Sequence, residues 1–474
     1  MRAILGLVPI AIFLGLATHA SLETGLQPDD AGYTALRVAT NFRSGEGLAF
    51  NPGERRDLTD SPAWLGILTL LSFSQQAPLA MQILGLALGA AALLLVIAGP
   101  RDPLVGAGAA LFVALDGVYV SGATSGASEP LVALYLVALV PILRMGKAQL
   151  HADMALAIWA ASAGIVRHEL VMVAIPVAIG AGFREPRRVL AWLPLVTATL
   201  SALVCLALRG AYFGEHPAYW EPWPPSAGSM YRAASVVLDL LLRRPLLLLA
   251  LAFLVSEWLH GKLWLGRRIG LAWGLLALAL FSVAPGRGGD VERIVGPMLP
   301  LGSLLAVEEI WRRTRTRPAV VAALLLVLAQ PGWTTGGRKP APEVDVAYER
   351  IGRWLETHAD NETIVGAARV GALGYHSGLR VEDVQGRVSP RVAAARRLGV
   401  DDIDDVDAAY GRVFKLEPDL MFVLPGDPVP SARTYVPNDD ALPAVIRGPF
   451  RVYRWAGSTV WRSAVPAPAA PPFS

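Results

Sequence analysis

The chain has 474 residues, 54% of them hydrophobic and 17% charged, with a mean hydropathy of +0.45. Soluble domains carry about 25% charge, so the composition excludes an ordinary soluble fold. The net charge of +3, spread over short basic clusters with no basic stripe of interleaved aromatics, excludes nucleic acid as a partner. Cys205 is the single cysteine, which excludes a disulfide framework and a cysteine metal site.

The first apolar run covers residues 3–20. Thr18-His19-Ala20 is a weak signal-cleavage site, but the polar loop that follows needs an anchor, so an uncleaved span is expected. Further apolar runs predict spans near 76–98, 103–119, 128–144, 154–166, 168–182, 189–209, 244–259, 269–285, 295–311 and 318–334, about eleven in all. The expected class is an α-helical polytopic membrane protein with a small C-terminal α/β domain.

Charge sets the expected topology. With Met1 cytoplasmic, every second loop carries basic residues: Arg101; Arg144 and Lys147; Arg184, Arg187 and Arg188; Lys262, Arg267 and Arg268; and "RRTRTR" at 312–317. Loops 21–75, 120–127, 210–243 and 286–294 are then external, with the C-terminal domain. Residues 154–182 as one helix would run about 43 Å against a hydrocarbon core of about 30 Å. Both of its ends are basic, so an even number of crossings is expected, turning at Arg167-His168-Glu169.

The expected domain boundaries are 1–335 for the transmembrane part with its loop 21–75, 336–462 for an extracytoplasmic α/β domain, and 463–474 for a disordered Pro/Ala-rich tail. In the C-terminal domain "YERIGRWLETH" predicts an amphipathic helix. "TIVGAA", "LRVEDV" and "DLMFVLP" predict strands, with helices at about 388–398 and 404–416. "GALGYHSG" lacks a phosphate-loop lysine and reads as a turn after a strand. "DDIDDVDA" at 401–407 lacks the glycine and distal glutamate of a calcium loop, and reads as a solvated acidic helix start.

The chemistry-bearing residues begin in the first external loop, "LQPDDAGYTALRVATNFRSGEGLAFNPGER" (26–55). Pro28 and the aspartates mark a helix start, with an Asp at the N-cap and a helix over about 30–43. Asp30, Tyr33, Arg37 and Asn41 fall on one face of it, and a Gly/Pro-punctuated loop follows. One N-cap explains one aspartate; it explains neither the second nor the shared polar face. Arg167, His168 and Glu169 sit between two apolar runs. Charges at membrane depth cost roughly 2.5–3.5 kcal/mol each on insertion scales, so they are either an ion pair closing a hairpin or a functional group. The aromatic-rich loop "AYFGEHPAYWEPWPPSAGSMY" holds Glu215, His216 and Glu221; its aromatics suit either the membrane interface or stacking on sugar rings.

The first loop resembles that of GT-C-type membrane glycosyltransferases, most closely the bacterial branch with the actinobacterial terminal arabinofuranosyltransferases. That branch reads D-D-A-Y-x-x-x-R-Y-x-x-N-x-x-x-G-x-G-L-V-F/Y-N-P-G-E-R. Asp29, Asp30, Ala31, Arg37, Asn41, Gly45, Gly47, Leu48, Phe50, Asn51, Pro52, Gly53, Glu54 and Arg55 match it. Gly32 stands at or beside the usual tyrosine, and "RDLTDSPAW" departs from the usual V-E-G-Y/F-T-S continuation. "SGATSGASEPLVAL" is similar to the A-T-S-G-x-E segment and carries over Glu129. "GIVRHELVMVAIP" is similar to T-R-P-E-G, with His168 in place of proline. "GRGGDVERIVGPMLP" is similar to a G-G-D segment, with Asp290 matched and the arginine displaced to Arg293. "GALGYHSGLRVEDVQG" is similar to a C-terminal-domain segment.

The resemblance implies transfer of a sugar from a polyprenyl-phosphate donor to an extracytoplasmic hydroxyl on a glycan, lipid or protein, with inversion, at the outer face of the cytoplasmic membrane. Asp29 or Asp30 is then the general base. The leaving phosphate is stabilised by Arg167, His168 and Arg293 beside Glu169. Arg37 and Asn41 bind substrate or, for Arg37, orient the aspartate pair. Glu129 and Asp290 bind sugar hydroxyls or a divalent cation, which no sequence pattern requires. Two other functions fit a charged membrane chain: a transporter or flippase of a lipid-linked saccharide, for which inverted repeats are missing, and a non-catalytic scaffold presenting the C-terminal domain.

Overall fold

A computed structural model describes residues 2–23, 27–58, 60–145, 149–213, 296–314, 342–384, 388–390, 392, 413, 416–423, 435–437 and 451–456. The chain divides into two compact units. One comprises Met1–Leu26, Thr59–Ile67 and Pro78–Lys339; the other Gln27–Leu58, Leu68–Ala77 and Pro340–Ser474.

The first unit is helical. Its described elements are α1 (Arg2–Glu23), α3 (Pro62–Leu71), α4 (Ala77–Ala98), α5 (Pro103–Leu115), α6 (Gly117–Thr124), α7 (Glu129–Arg144), α8 (Gln149–Val166), α9 (Val171–Arg184), α10 (Leu193–Phe213) and α11 (Leu299–Thr314). The last residues of α3 and the first of α4 fall in the second unit. Among the described residues two helical stretches are long and apolar enough to cross a membrane, Ala77–Ala98 and Val189–Phe213. The pair α5 and α6 makes a third if counted together, and Gly6–Leu22, Pro62–Leu71, Leu150–Val166 and His168–Phe183 are shorter apolar helices. The spans expected at 244–259, 269–285 and 318–334 lie outside the described residues.

Two expectations for this unit meet different outcomes. The expected span 103–119 is not one straight helix. It bends by 70° between α5 and α6. Asp116 causes the break: its backbone is extended, and its carboxylate accepts from the amides of Val118 (2.9 Å) and Tyr119 (3.3 Å), starting a new helix. Residues 154–182 do divide at the expected place. α8 ends at Val166, Arg167 is extended, and a 3₁₀ turn over His168–Leu170 leads into α9.

The core of this unit packs residues of α1 and α4–α11, among them Phe13, Leu93, Leu136, Leu156, Val173 and Leu304. The polar groups of its buried Tyr119, Tyr135 and Trp159 are satisfied locally, because an unbonded amide or hydroxyl in an apolar setting costs several kcal/mol. Tyr135 of α7 and Trp159 of α8 stack at 4.7 Å. Each donates to the other's backbone carbonyl, both at 2.9 Å. Tyr119 donates to the Gly89 carbonyl at 2.8 Å.

The second unit holds α2 (Asp30–Arg43), α12 (Pro342–His358), α13 (Gly371–Ser377) and five strands: β1 (Ile364–Ala367), β2 (Arg380–Asp383), β3 (Leu420–Val423), β4 (Tyr435–Pro437) and β5 (Arg451–Trp455). The sheet order is β2-β1-β3-β5-β4. β1 pairs parallel with β2 and β3, while β5 pairs antiparallel with β3 and β4. The three expected strands are β1, β2 and β3; β4 and β5 are additional. "GALGYHSG" forms α13 rather than a turn, closed by Gly378 in the left-handed region (φ 69°). The helices expected at about 388–398 and 404–416, the acidic run 401–407 and the tail fall wholly or mainly outside the described residues.

The expected boundary at 335/336 assigned the first loop to the transmembrane part. Residues 27–58 instead pack with the C-terminal residues. Glycines make the approach possible. A Cβ on Gly371 would overlap the Asp30 carbonyl, and one on Gly374 would overlap the Arg37 guanidinium and the Phe50 ring. Asn51 then completes the edge of the sheet. Its side-chain amide donates to the Val381 carbonyl (2.9 Å) and accepts from the Val381 amide (3.0 Å), as a neighbouring strand would. Glu54 pairs with Arg380 on the same edge.

Candidate functional site

The candidate residues fall in two places, one in each unit. In the second unit, α2 runs over Asp30–Arg43 with Asp29 as its N-cap, whose carboxylate accepts from the Gly32 amide at 2.8 Å. Asp30 has a different partner. Its carboxylate accepts from the amide of Gly371, the first residue of α13, at 2.7 Å. The adjacent aspartates therefore serve two helix starts, one local and one 341 residues away. Both carboxyls are half-buried.

Arg37 is 3% exposed. Its Nε donates to the Phe50 carbonyl (2.7 Å), its Nη2 to the Leu379 carbonyl (2.6 Å), and its guanidinium carbon lies 4.3 Å from the Phe50 ring centroid. Burial lowers its pKa to about 9, so it stays charged at neutral pH. Asn41 donates to the carbonyls of Ala49 and Phe50, both at 2.9 Å. The expectation that Arg37 orients the aspartate pair is not met. Its hydrogen bonds go to backbone carbonyls, because a buried guanidinium takes the acceptors that α13 and the loop leave open at their ends. Arg37 and Asn41 fasten α2 to its loop and to the end of α13.

Around Tyr33 the unit gathers further polar groups. The Tyr33 ring lies 5.5 Å from Tyr375 and 5.3 Å from His376. His376 Nε2 is 3.9 Å from Glu349, which in turn pairs with Arg353 at 2.9 Å. Burial, reinforced by Arg353, lowers the His376 pKa from 6.5 to about 4. Burial also raises the hydroxyls of Tyr33 and Tyr375 above the usual tyrosine range.

In the first unit the break between α8 and α9 concentrates charge. Arg167 is 5% exposed. Its Nε meets Glu169 at 3.2 Å and its Nη2 meets Asp60 at 3.6 Å. His168 Nδ1 lies 3.3 Å from the same Glu169 oxygen. The expected triplet is thus one contiguous group, with Asp60 added from the segment before α3. Arg209, near the end of α10, lies within electrostatic reach of the His168 ring. Sequence reading passed over both. Asp60 stands in the stretch where the first-loop resemblance lapses, and its signal is the D-S-P helix start. The signal for Arg209 is a lone charge closing an apolar run.

Glu129 opens α7 and is 7% exposed, in the first turn where the helix amides favour a carboxylate. The segment before it is held from two sides. Trp64 Nε1 donates to the Gly126 carbonyl and Gln82 Nε2 to the Thr124 carbonyl, both at 3.1 Å. Asp290, Arg293 and most of the aromatic-rich loop lie outside the described residues. Among the described residues no three His, Cys, Asp or Glu side chains gather as a metal site.

Solved structures similar to the chain include the following three. ArnT from Cupriavidus metallidurans, bound to undecaprenyl phosphate, has a TM-score of 0.56 at 13% identity, over 94% of this chain and 97% of its own. The arabinofuranosyltransferase AftD from Mycobacteria has a TM-score of 0.46 at 17% identity, over 96% of this chain and 40% of its own. The Archaeoglobus fulgidus oligosaccharyltransferase with a tethered acceptor peptide has 0.44 at 11%, over 86% and 68%. No curated protein matches the chain. Residues 342–463 match a family described as a domain of unknown function, DUF8728. The likeness to ArnT, at 13% identity, shows a shared fold.

Proposed function

We propose that the chain is a membrane glycosyltransferase that moves a sugar from a polyprenyl-phosphate donor to a hydroxyl acceptor outside the cytoplasmic membrane. The observation that carries this reading is the fold likeness to ArnT, which is near full length on both chains. The carboxylate-headed helix α2 and the buried Arg167 at the break between α8 and α9 supply the residue types that the reaction needs.

The reaction is a single displacement. Asp29 or Asp30 takes the proton of the acceptor hydroxyl as its oxygen bonds to the anomeric carbon. The bond from that carbon to the phosphate oxygen breaks, and the electron pair leaves with the lipid phosphate. The anomeric centre inverts. Arg167, His168 and Arg293 stabilise the growing phosphate charge, with Glu169 holding the first two in place. Glu129 and Asp290 bind sugar hydroxyls or a divalent cation. Because Arg37 and Asn41 are engaged with backbone carbonyls, we give them a scaffold role. The proposed setting is the inner membrane, crossed about eleven times by the sequence pattern, with Met1 cytoplasmic and both the site and the C-terminal domain external. The acceptor is a cell-envelope glycan, lipid or protein.

The test is transfer from radiolabelled polyprenyl-phosphate sugars in membranes containing the chain. Asp29→Asn with Asp30→Asn is expected to abolish transfer. Asn keeps an oxygen that can accept from the Gly32 and Gly371 amides, so the fold should survive. Full activity in a folded double variant would sink the mechanism. Single variants then tell the base from its neighbour.

A further inference from the structure

At the α8–α9 break Arg167 faces two carboxylates of different kind. Glu169 is 2% exposed and contacts both Arg167 Nε and His168 Nδ1. It is the enclosed counter-charge of the guanidinium. Asp60 is the second carboxylate and differs in kind. Its side chain is 39% exposed, and it sits 3.6 Å from Nη2, beyond ordinary hydrogen-bond length. One contact is enclosed and short; the other is open and long. An anion arriving at Nη2 would meet Asp60 as a like charge.

Asp60 also has somewhere else to go. It immediately precedes Ser61, whose hydroxyl accepts from the Trp64 amide at 3.1 Å at the start of α3. The first turn of that helix favours a carboxylate. We propose that Asp60 is a displaceable counter-ion. It holds Arg167 in place until the phosphate of a membrane lipid takes over Nη2, and so sets the affinity for that lipid. It is a positioning residue, acting through Arg167, and the inference rests on the phosphate role given to Arg167 above.

The test is binding of undecaprenyl phosphate to the purified full chain in detergent, followed by titration calorimetry without any turnover. Removing the competing charge with Asp60→Asn is expected to tighten binding about threefold to tenfold. Asp60→Glu should stay near wild type, and Arg167→Gln should weaken binding at least about tenfold. Damage to the fold would not tighten binding, so the sign of the change separates displacement from a structural role. Unchanged or weaker binding by Asp60→Asn, with Arg167→Gln still weakened, overturns the proposal and leaves the transferase reading standing. An Arg167→Gln variant that binds normally removes the phosphate role of Arg167, and the proposal with it. Inorganic phosphate in place of the lipid is expected to show no such shift; a shift with the free anion alone overturns the assignment to a membrane headgroup.

Discussion

The polar face of α2 and the break between α8 and α9 both bury charge, but they balance it differently. On α2 the partners are backbone groups. Arg37 meets carbonyls of Phe50 and Leu379, Asn41 meets those of Ala49 and Phe50, and Asp30 meets the Gly371 amide. At the break the partners are other charges, Arg167 with Glu169 and Asp60. Backbone dipoles are fixed in place and satisfy a charge permanently. A mobile carboxylate can be exchanged for another anion. The fixed arrangement at Arg37 and Asn41 suits architecture and the exchangeable one suits the ligand role proposed for Arg167, so burial of a charged side chain alone does not mark a site.

The largest effect should come from Arg37. Arg37→Met keeps much of the volume but leaves the Leu379 carbonyl without its donor and the Phe50 carbonyl with Asn41 alone, an expected loss of about 3–5 kcal/mol. Thermal unfolding should show it, together with proteolysis of the second unit. Lys at Arg167 would sharpen the contrast, since a point charge can still meet Glu169.

Next comes His376. Its folded pKa of about 4 lies below its ordinary 6.5, so between these values the unfolded chain binds the extra proton. Stability is then full above about pH 6.5 and falls as pH drops toward 4, by about 3 kcal/mol. The groups facing the ring are Tyr33 on α2, Glu349 and Arg353 on α12, and Tyr375 on its own helix. Unfolding midpoints of wild type and His376→Gln across this window should diverge at the acid end; parallel curves would assign the acid sensitivity elsewhere.

The smallest effect is at Gly371. Gly371→Ala drives a methyl into the Asp30 carbonyl, an overpacking cost of about 1–3 kcal/mol. Slight separation of α2 from α13 should follow, visible as faster amide exchange at residue 371.

Much of this was legible in the sequence, where the signal was local. Pro28-Asp29 and the spacing of Asp30, Tyr33, Arg37 and Asn41 placed α2 with its N-cap. Basic flanks placed the turn at Arg167-His168-Glu169. What escaped depends on distant partners. The partners of the α2 polar face could not be read locally, because the Gly371 amide that meets Asp30 and the Leu379 carbonyl that meets Arg37 come more than 300 residues later. Gly371 and Gly374 read as turn residues because no local signal sustains a seven-residue helix; contact with α2 and α12 does. β4 and β5 lack strict alternation, since each takes its place from pairing with a neighbour. Asp116 was the exception, a lone aspartate within an apolar run that marked the 70° bend in plain view.

The Asn51 amide on Val381 has a practical consequence. β2 is an outer strand of the sheet, and outer strands recruit other chains unless they are blunted. Asn51 occupies both backbone groups of Val381, the middle of that strand. A fragment cut to the boundaries of the matched region, 342–463, discards this stopper along with the Asp30 carboxylate. Such a fragment is primed for edge-to-edge aggregation, and one that restores residues 27–58 through a linker is the better choice for crystallisation.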